Sequence, residues 1–388
     1  MADLNQTPRG ERVHIGFFGR TNAGKSSLVN LLTGAETALV SPVAGTTTDP
    51  VFKSMELLPI GPVVLIDTAG TGDNTELSEA RAKKTREAAA RTDIAVFVRT
   101  DDSEDAEADA LRTLFRQRQV PVIEVWNSVE GSQPASDRRV DVEVDLGNCS
   151  GGEGLRRALA EAWSGNEEAA ATSGLVEAGD LVLLVMPQDI QAPKGRLILP
   201  QVQMIRELLD AGCRVLCIKT EDLPDALSDL RKPPALVITD SQAFPEVDAH
   251  LPNEIPLTSF SILLSKKKGD IEAFLAGAET IAQLKPGDRV LIAESCTHHA
   301  LQGDIAREKL PKLLEKRAGG SLDIQVCSGP NFPDDVSTYK LILQCGGCMS
   351  NRRGMLSRLE AAREAGVPMT NFGTALAWLA GITPRICW

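Results

Sequence analysis

Gly19-Arg20-Thr21-Asn22-Ala23-Gly24-Lys25-Ser26 is the stretch that decides how the first part of this chain folds. It stands between an apolar run, Val13-His-Ile-Gly-Phe-Phe18, and a helical pattern, Ser27-Leu-Val-Asn-Leu-Leu32. Strand, glycine loop and helix N-terminus together turn G-x-x-x-x-G-K-S into a phosphate cradle. Backbone N–H groups and the helix dipole favour a polyphosphate there, and Lys25 adds a point charge beside the outer phosphates. Ser26 offers its hydroxyl to Mg2+. The nucleotide-binding candidates in this stretch are therefore Gly19, Thr21, Asn22, Ala23, Gly24, Lys25, Ser26 and Ser27.

Outward from the loop, apolar strands alternate with helical patterns. Strands are expected at 13–18, 63–67, 94–99 and 120–126, and helices near 25–32, 78–91 and 105–118. Such alternation implies a doubly wound, mostly parallel sheet. A chain of 388 residues exceeds a single core. The polar stretch Ser164–Gly174 reads as a linker, after which the alternation restarts. The fold class is α/β in three domains: a P-loop nucleotide-binding sheet, then two smaller α/β domains with mainly parallel sheets. The expected boundaries are 1–10 disordered, 11–165 P-loop domain, 166–174 linker, 175–283 middle domain and 284–388 C-terminal domain. The acidic run Asp101–Asp109 reads as a solvated helix start. The apolar run Leu257–Leu264 fits either a pairing surface or ordinary core.

With 43% hydrophobic and 24% charged residues, the chain is of the soluble globular class. Its net charge of −12 argues against a broad electrostatic grip on nucleic acid. No apolar run is long enough to span a bilayer, and the polar start Met1-Ala-Asp-Leu-Asn-Gln6 lacks signal-peptide character. A cytoplasmic protein is expected, in which eight cysteines point to metal binding or burial rather than a disulfide framework.

Two further segments complete a GTPase pattern. Thr47 of Gly45-Thr-Thr-Thr-Asp49 is the candidate hydroxyl on Mg2+ that senses the γ-phosphate, with Thr46 and Thr48 as alternatives. Asp67-Thr-Ala-Gly70 closes a strand, so that Asp67 can hold Mg2+ through water and Gly70 can bring a backbone N–H to the γ-phosphate. Lys25, Thr47, Asp67 and Gly70 are thus the catalytic candidates. For the base, Asn127-Ser-Val-Glu130 stands where Asn-Lys-x-Asp is usual, so Asn127 and Glu130 are the guanine-reading pair.

At the far end, Cys345-Gly-Gly-Cys348 and Cys296-Thr-His298 each follow an expected strand. Residues past the C-terminal ends of parallel strands converge on one edge, where ligands bind. Thiolates with little carboxylate company suit zinc or an iron–sulfur cluster. Cys213 and Cys217 share one strand face and read as buried core.

The loop and the Gly-Thr-Thr-Thr-Asp segment resemble the GTPase group that includes TrmE and Era. That resemblance makes Asn22 a potassium ligand, and Thr71 stands where Ras-like proteins carry a catalytic Gln. It implies slow GTP hydrolysis stimulated by K+. The whole chain resembles the HydF family, the maturation GTPases of FeFe hydrogenase. This resemblance implies a dimerisation domain at 175–283 and a 4Fe–4S domain at 284–388. It also implies a di-iron precursor delivered to the apo-hydrogenase HydA, with HydE and HydG as further partners and a homodimer or tetramer as the assembly. Cys296, Cys345 and Cys348 carry over as cluster ligands, with His298 as a further candidate. The family's His before the paired cysteines is Gln344 here, which puts the fourth ligand in doubt. The other class of function is an RNA- or ribosome-directed GTPase with a metal-binding C-terminal domain; the acidic balance opposes it.

Overall fold

The computed structural model describes residues 7–34, 50–71, 78–129, 132–137, 139–164, 169–187, 197–295, 304–329 and 331–388. The chain divides into two compact units, residues 1–167 and 168–388. In the first, β1 (Val13–Phe18), β2 (Val51–Leu57), β3 (Gly61–Asp67), β4 (Ile94–Arg99), β5 (Val122–Asn127) and β6 (Val142–Val144) form one sheet. Its order is β2-β3-β1-β4-β5-β6, with β2 antiparallel to β3 and the other pairs parallel. Every residue of β1 is buried, because the strand is central and covered on both faces; hence its unbroken apolar reading.

Helices α1 (Lys25–Thr33), α2 (Ser78–Ala89), α3 (Ala106–Gln117) and α4 (Gly152–Trp163) belong to this unit. Leu28 and Leu32 of α1 and Leu155 and Leu159 of α4 join Ile15 and Phe17 on one face of the sheet. On the opposite face Phe18, Phe97 and Phe115 stack with ring centroids 5.2 to 6.1 Å apart, which seats α3.

The second unit holds two four-stranded parallel sheets among its described residues. The first comprises β7 (Leu181–Val185), β8 (Arg214–Ile218), β9 (Leu236–Thr239) and β10 (Leu257–Ser259) in the order β10-β9-β7-β8. Its helices are α5 (Leu199–Asp210), α6 (Leu223–Asp229), α7 (Phe244–His250) and α8 (Phe260–Lys268). The other comprises β11 (Arg289–Ala293), β12 (Asp323–Cys327), β13 (Leu341–Gln344) and β14 (Met369–Asn371) in the order β12-β11-β13-β14. Its helices are α9 (Ile271–Glu279), α10 (Leu310–Ala318), α11 (Arg352–Glu364) and α12 (Phe372–Leu379).

The two sheets share contacts. Asp270 caps α9 by accepting from the Ala273 N–H, and α9 then packs on β14, where Thr370 donates to the Phe274 carbonyl at 2.8 Å. A Cβ on Gly277 would strike the backbone of Met369, so only glycine lets this helix approach so closely. The C-terminus returns to the other sheet: Cys387 N–H donates to the Leu257 carbonyl at 3.0 Å, and Ile386 enters the same core as Leu257. Helix α8 is the wall between the sheets. Its Ser265 hydroxyl meets Asn371 Nδ2, and its Lys268 ammonium donates to the carbonyls of Gly347 at 3.3 Å and Ser350 at 3.0 Å. Lys268 is only 1% exposed.

The apolar run at 257–264 is core, divided between β10 and the start of α8, with Leu257, Phe260, Ile262, Leu263 and Leu264 buried. Two expectations are corrected. Cys213 is buried but Cys217 is exposed, because β8 lies at the edge of its sheet and turns one face outward. The acidic run is not wholly solvated either: Asp105 is 9% exposed and caps α3 by accepting from the Ala108 N–H at 3.0 Å.

Candidate functional site

The phosphate loop links β1 to α1 and is shaped by three left-handed residues: Gly19 at φ 137°, Asn22 at 65° and Gly24 at 97°. A Cβ on Gly19 would run into the Val98 carbonyl, and one on Gly24 would press on Leu146 and on the Asn127 amide. A parallel bridge between Arg20 and Thr71, beyond the last paired residues of β1 and β3, holds the loop against Asp67-Thr-Ala-Gly70. In that bridge Thr21 N–H donates to the Thr71 carbonyl at 3.2 Å, and Thr71 N–H donates to the Gly19 carbonyl at 3.1 Å. Gly70 lies so near Thr21 that a Cβ there would overlap its backbone. Lys25 is buried, its ammonium held by the carbonyls of Gly19 at 3.0 Å and Arg20 at 2.8 Å.

The Mg2+ candidates Ser26 and Asp67 meet directly, the serine hydroxyl donating to Asp67 Oδ2 at 2.5 Å. Asp67 Oδ1 is buried without a hydrogen-bond partner. Burial pushes the Asp67 carboxyl above the usual carboxylate range, opposed by the Ser26 hydroxyl and by the charges of Lys25 and Lys53. A buried, orphaned carboxylate oxygen beside a serine hydroxyl fits a hard divalent cation, which would satisfy it through water. Thr46, Thr47 and Thr48 lie outside the described residues.

On the base side, Asn127 ends β5 and is 5% exposed. Its Nδ2 donates to the Ala23 carbonyl at 3.2 Å and its Oδ1 accepts from Leu146 N–H at 3.4 Å. One side chain therefore ties the phosphate loop to the turn at Asp145–Ser150. Asn148 stiffens that turn by donating twice to Asp145, which holds the Asp145 carboxyl below its usual range. Glu130 lies outside the described residues.

Sequence reasoning missed one pairing. The Thr71 hydroxyl donates to Asp105 Oδ2, so the residue after Asp67-Thr-Ala-Gly70 is anchored to the cap of α3. Thr71 is 3% exposed and faces protein rather than solvent. No sequence signal joins two residues 34 positions apart.

At the far end, Cys345 and Cys348 follow β13 and are half-buried. The sheet order places β11 and β13 side by side while the chain winds outward from each, so the edge beside them is a topological switch point. Ser295, just past β11, donates its N–H to Cys345 Sγ at 3.1 Å. Gln344 Nε2 stands 3.4 Å from the same sulfur. Gly347 is left-handed at φ 68°, which turns the loop between the two cysteines. Cys327, at the end of β12, is buried, and burial raises its thiol. Among the described residues no group of three or more His, Cys, Asp or Glu is placed to hold a metal ion. Cys296 and His298 lie outside the described residues. The donors present, soft thiols receiving backbone and amide N–H groups, fit an iron–sulfur cluster by their chemistry.

Comparison with known proteins agrees with this division. A family model described as 50S ribosome-binding GTPase matches residues 14–128. The tRNA modification GTPase MnmE of Herminiimonas arsenicoxydans is 37% identical over 129 residues, covering 32% of this chain and 28% of that protein. MnmE of Ralstonia nicotianae is 34% identical over 174 residues, covering 41% and 36%. The chain thus spans about a third of the length of these curated relatives. Among solved structures, Era of Aquifex aeolicus bound to GDP and AlF4− is 15% identical, with a TM-score of 0.27, covering 81% of this chain and 92% of that one.

The first unit is a P-loop GTPase domain, joined to a second unit of two parallel sheets. Two further family models account for that second unit: the hydrogen maturase F dimerization domain over residues 171–269 and the hydrogen maturase F tetramerization domain over residues 272–387. The chain belongs to the hydrogen maturase F family, HydF.

Proposed function

We propose that the protein is a GTP-gated scaffold for FeFe-hydrogenase maturation. It carries a 4Fe–4S cluster and receives a di-iron precursor as cargo. With HydE and HydG it prepares that cargo for delivery to apo-hydrogenase HydA. The observation that carries this reading is one chain holding a complete phosphate cradle and both hydrogen maturase F domains.

In the cradle, Lys25 neutralises the outer phosphates of GTP, while Ser26, Asp67 and Thr47 hold Mg2+. Asn127 positions the loop and, with Glu130, reads guanine. Bound Mg2+ supplies charge compensation on the phosphate oxygens. Loss of the γ-phosphate frees Thr47 and Gly70, and the released segments end partner contact. Hydrolysis therefore times dissociation and does no chemistry at iron. At the far edge Cys296, Cys345 and Cys348 hold the cluster, with His298 as a further ligand candidate. A cluster held there would supply an iron site for the cargo.

Anaerobic reconstitution tests the scaffold reading. Wild-type protein should take up iron and sulfide in near-equal amounts, and Cys345→Ala should lose most of both. Lys25→Ala should load normally yet fail to activate hydrogenase; full activation by that variant refutes the gating role. Asn22, exposed and left-handed in the loop, is the K+ ligand of this reading. With nucleotide saturating, hydrolysis should be slow and faster in K+ than in Na+; equal rates in the two salts sink the potassium assignment.

A further inference from the structure

Gln344 is the last residue of β13 and has no exposed surface. Its carboxamide is pinned from both ends. Arg358 Nη1, on α11, donates to Gln344 Oε1 at 2.9 Å. Arg358 is itself held: it donates to the carbonyls of Glu294 and Gly329, and its guanidinium lies 5.1 Å from the Phe332 ring centroid. Arginine has donors only, so the amide atom facing it must be oxygen. The NH2 end is thereby fixed on the other side, 3.0 Å from Ser295 Oγ and 3.4 Å from both the carbonyl and the Sγ of Cys345.

That orientation has a chemical consequence. The amide oxygen, the atom of the group suited to bind iron, is turned to Arg358, while the end facing the Cys345 sulfur is an NH2 with no lone pair to offer. From this geometry we infer that Gln344 is a positioning residue, a fixed N–H donor to the Cys345 sulfur, and not a metal ligand. Together with the Ser295 backbone N–H it places two donors on one thiolate. Donors to a ligand sulfur withdraw electron density from it and favour the more electron-rich, reduced state of a cluster, so they raise its potential. Arg358 acts at one remove, by choosing which end of the amide faces sulfur.

The inference rests on the cluster reading of this edge, and the two fail separately. The experiment is a dithionite titration, followed by electron paramagnetic resonance, of the reconstituted full chain and its Gln344→Met, Gln344→Glu and Arg358→Lys variants. Iron and sulfide are assayed on each sample first. Expected are wild-type iron content in Gln344→Met, a midpoint potential below wild type, and a lower one still in Gln344→Glu, where a carboxylate faces sulfur. Arg358→Lys keeps the charge but loses the fork, and should shift the potential in the same direction by less. It also carries the test if Gln344→Met does not fold. Wild-type protein that takes up no iron or sulfide overturns the cluster reading and this inference with it. A loaded wild type whose variants keep its potential overturns the inference alone. Loss of iron in Gln344→Met together with tighter retention in Gln344→Glu makes Gln344 a ligand, which also overturns it.

Discussion

A single carboxamide at Asn127 reaches two segments that the chain order separates widely. It accepts from Leu146 and donates to Ala23, so the phosphate loop is anchored to the turn beyond β6. Gly24 is the matching piece, since a Cβ there would push the Asn127 amide aside. Each buried hydrogen bond lost without replacement costs on the order of 1 to 3 kcal/mol. Asn127→Ala should therefore weaken GDP binding by roughly ten- to a hundredfold, at about 1.4 kcal/mol per tenfold. It should weaken inorganic pyrophosphate binding as well, because the loop itself loosens. A fluorescent-nucleotide titration with pyrophosphate competition checks this; a loss confined to the base would leave pyrophosphate affinity unchanged. The sequence marks Asn127 as a base-reading candidate, because its motif is contiguous. Its grip on Ala23, 104 positions away, needs the fold.

Elements differ in how openly they declare themselves. β1, β4 and the core strands of the second unit are buried on both faces and stand out as apolar runs. β2 escaped notice because it is an edge strand whose burial alternates weakly, with Val51 and Phe52 exposed. β6 is three residues long with an exposed Glu143, too short for any period to emerge. Helix α8 hid inside the run 257–264, since burial of nearly every residue in its first turns erases the 3.6-residue signal. The candidate sites divide in the same way. Lys25, Ser26 and Asp67 were legible as local motifs, whereas the Thr71–Asp105 anchor and the Gln344–Arg358–Cys345 arrangement join residues that no spacing rule connects. Thr71–Asp105 has a structural effect: Thr71 and the first turn of α3 share one carboxylate, which ties the residue after Gly70 to the start of that helix.

Across the second unit, α8 binds the two sheets through polar groups rather than apolar contact alone. The buried Lys268 ammonium holds two carbonyls of the Cys345–Ser350 loop, and Arg352 donates to the Lys267 carbonyl at 2.6 Å. An ammonium without exposure must keep its partners or suffer the full cost of desolvation. Lys268→Met should release the loop without unfolding either sheet. Iron should then pass to a chelator several-fold faster from reconstituted protein, while circular dichroism still finds the wild-type secondary structure. Unchanged chelation kinetics would assign Lys268 a packing role alone.

The same lysine sits at the end of the stretch matched by the dimerization domain, and its carbonyl partners lie within the tetramerization domain. The loop proposed to hold the cluster and the stretch matched by the dimerization domain therefore meet at one ammonium. Equilibrium coupling runs equally in both directions. If loading the loop shifts Lys268 enough to change association by a given factor, association changes iron affinity by that same factor. Under the proposed function, an assembly built this way would report its own cargo state, and a partner that prefers one oligomer would thereby select, without touching iron, the carriers that are full.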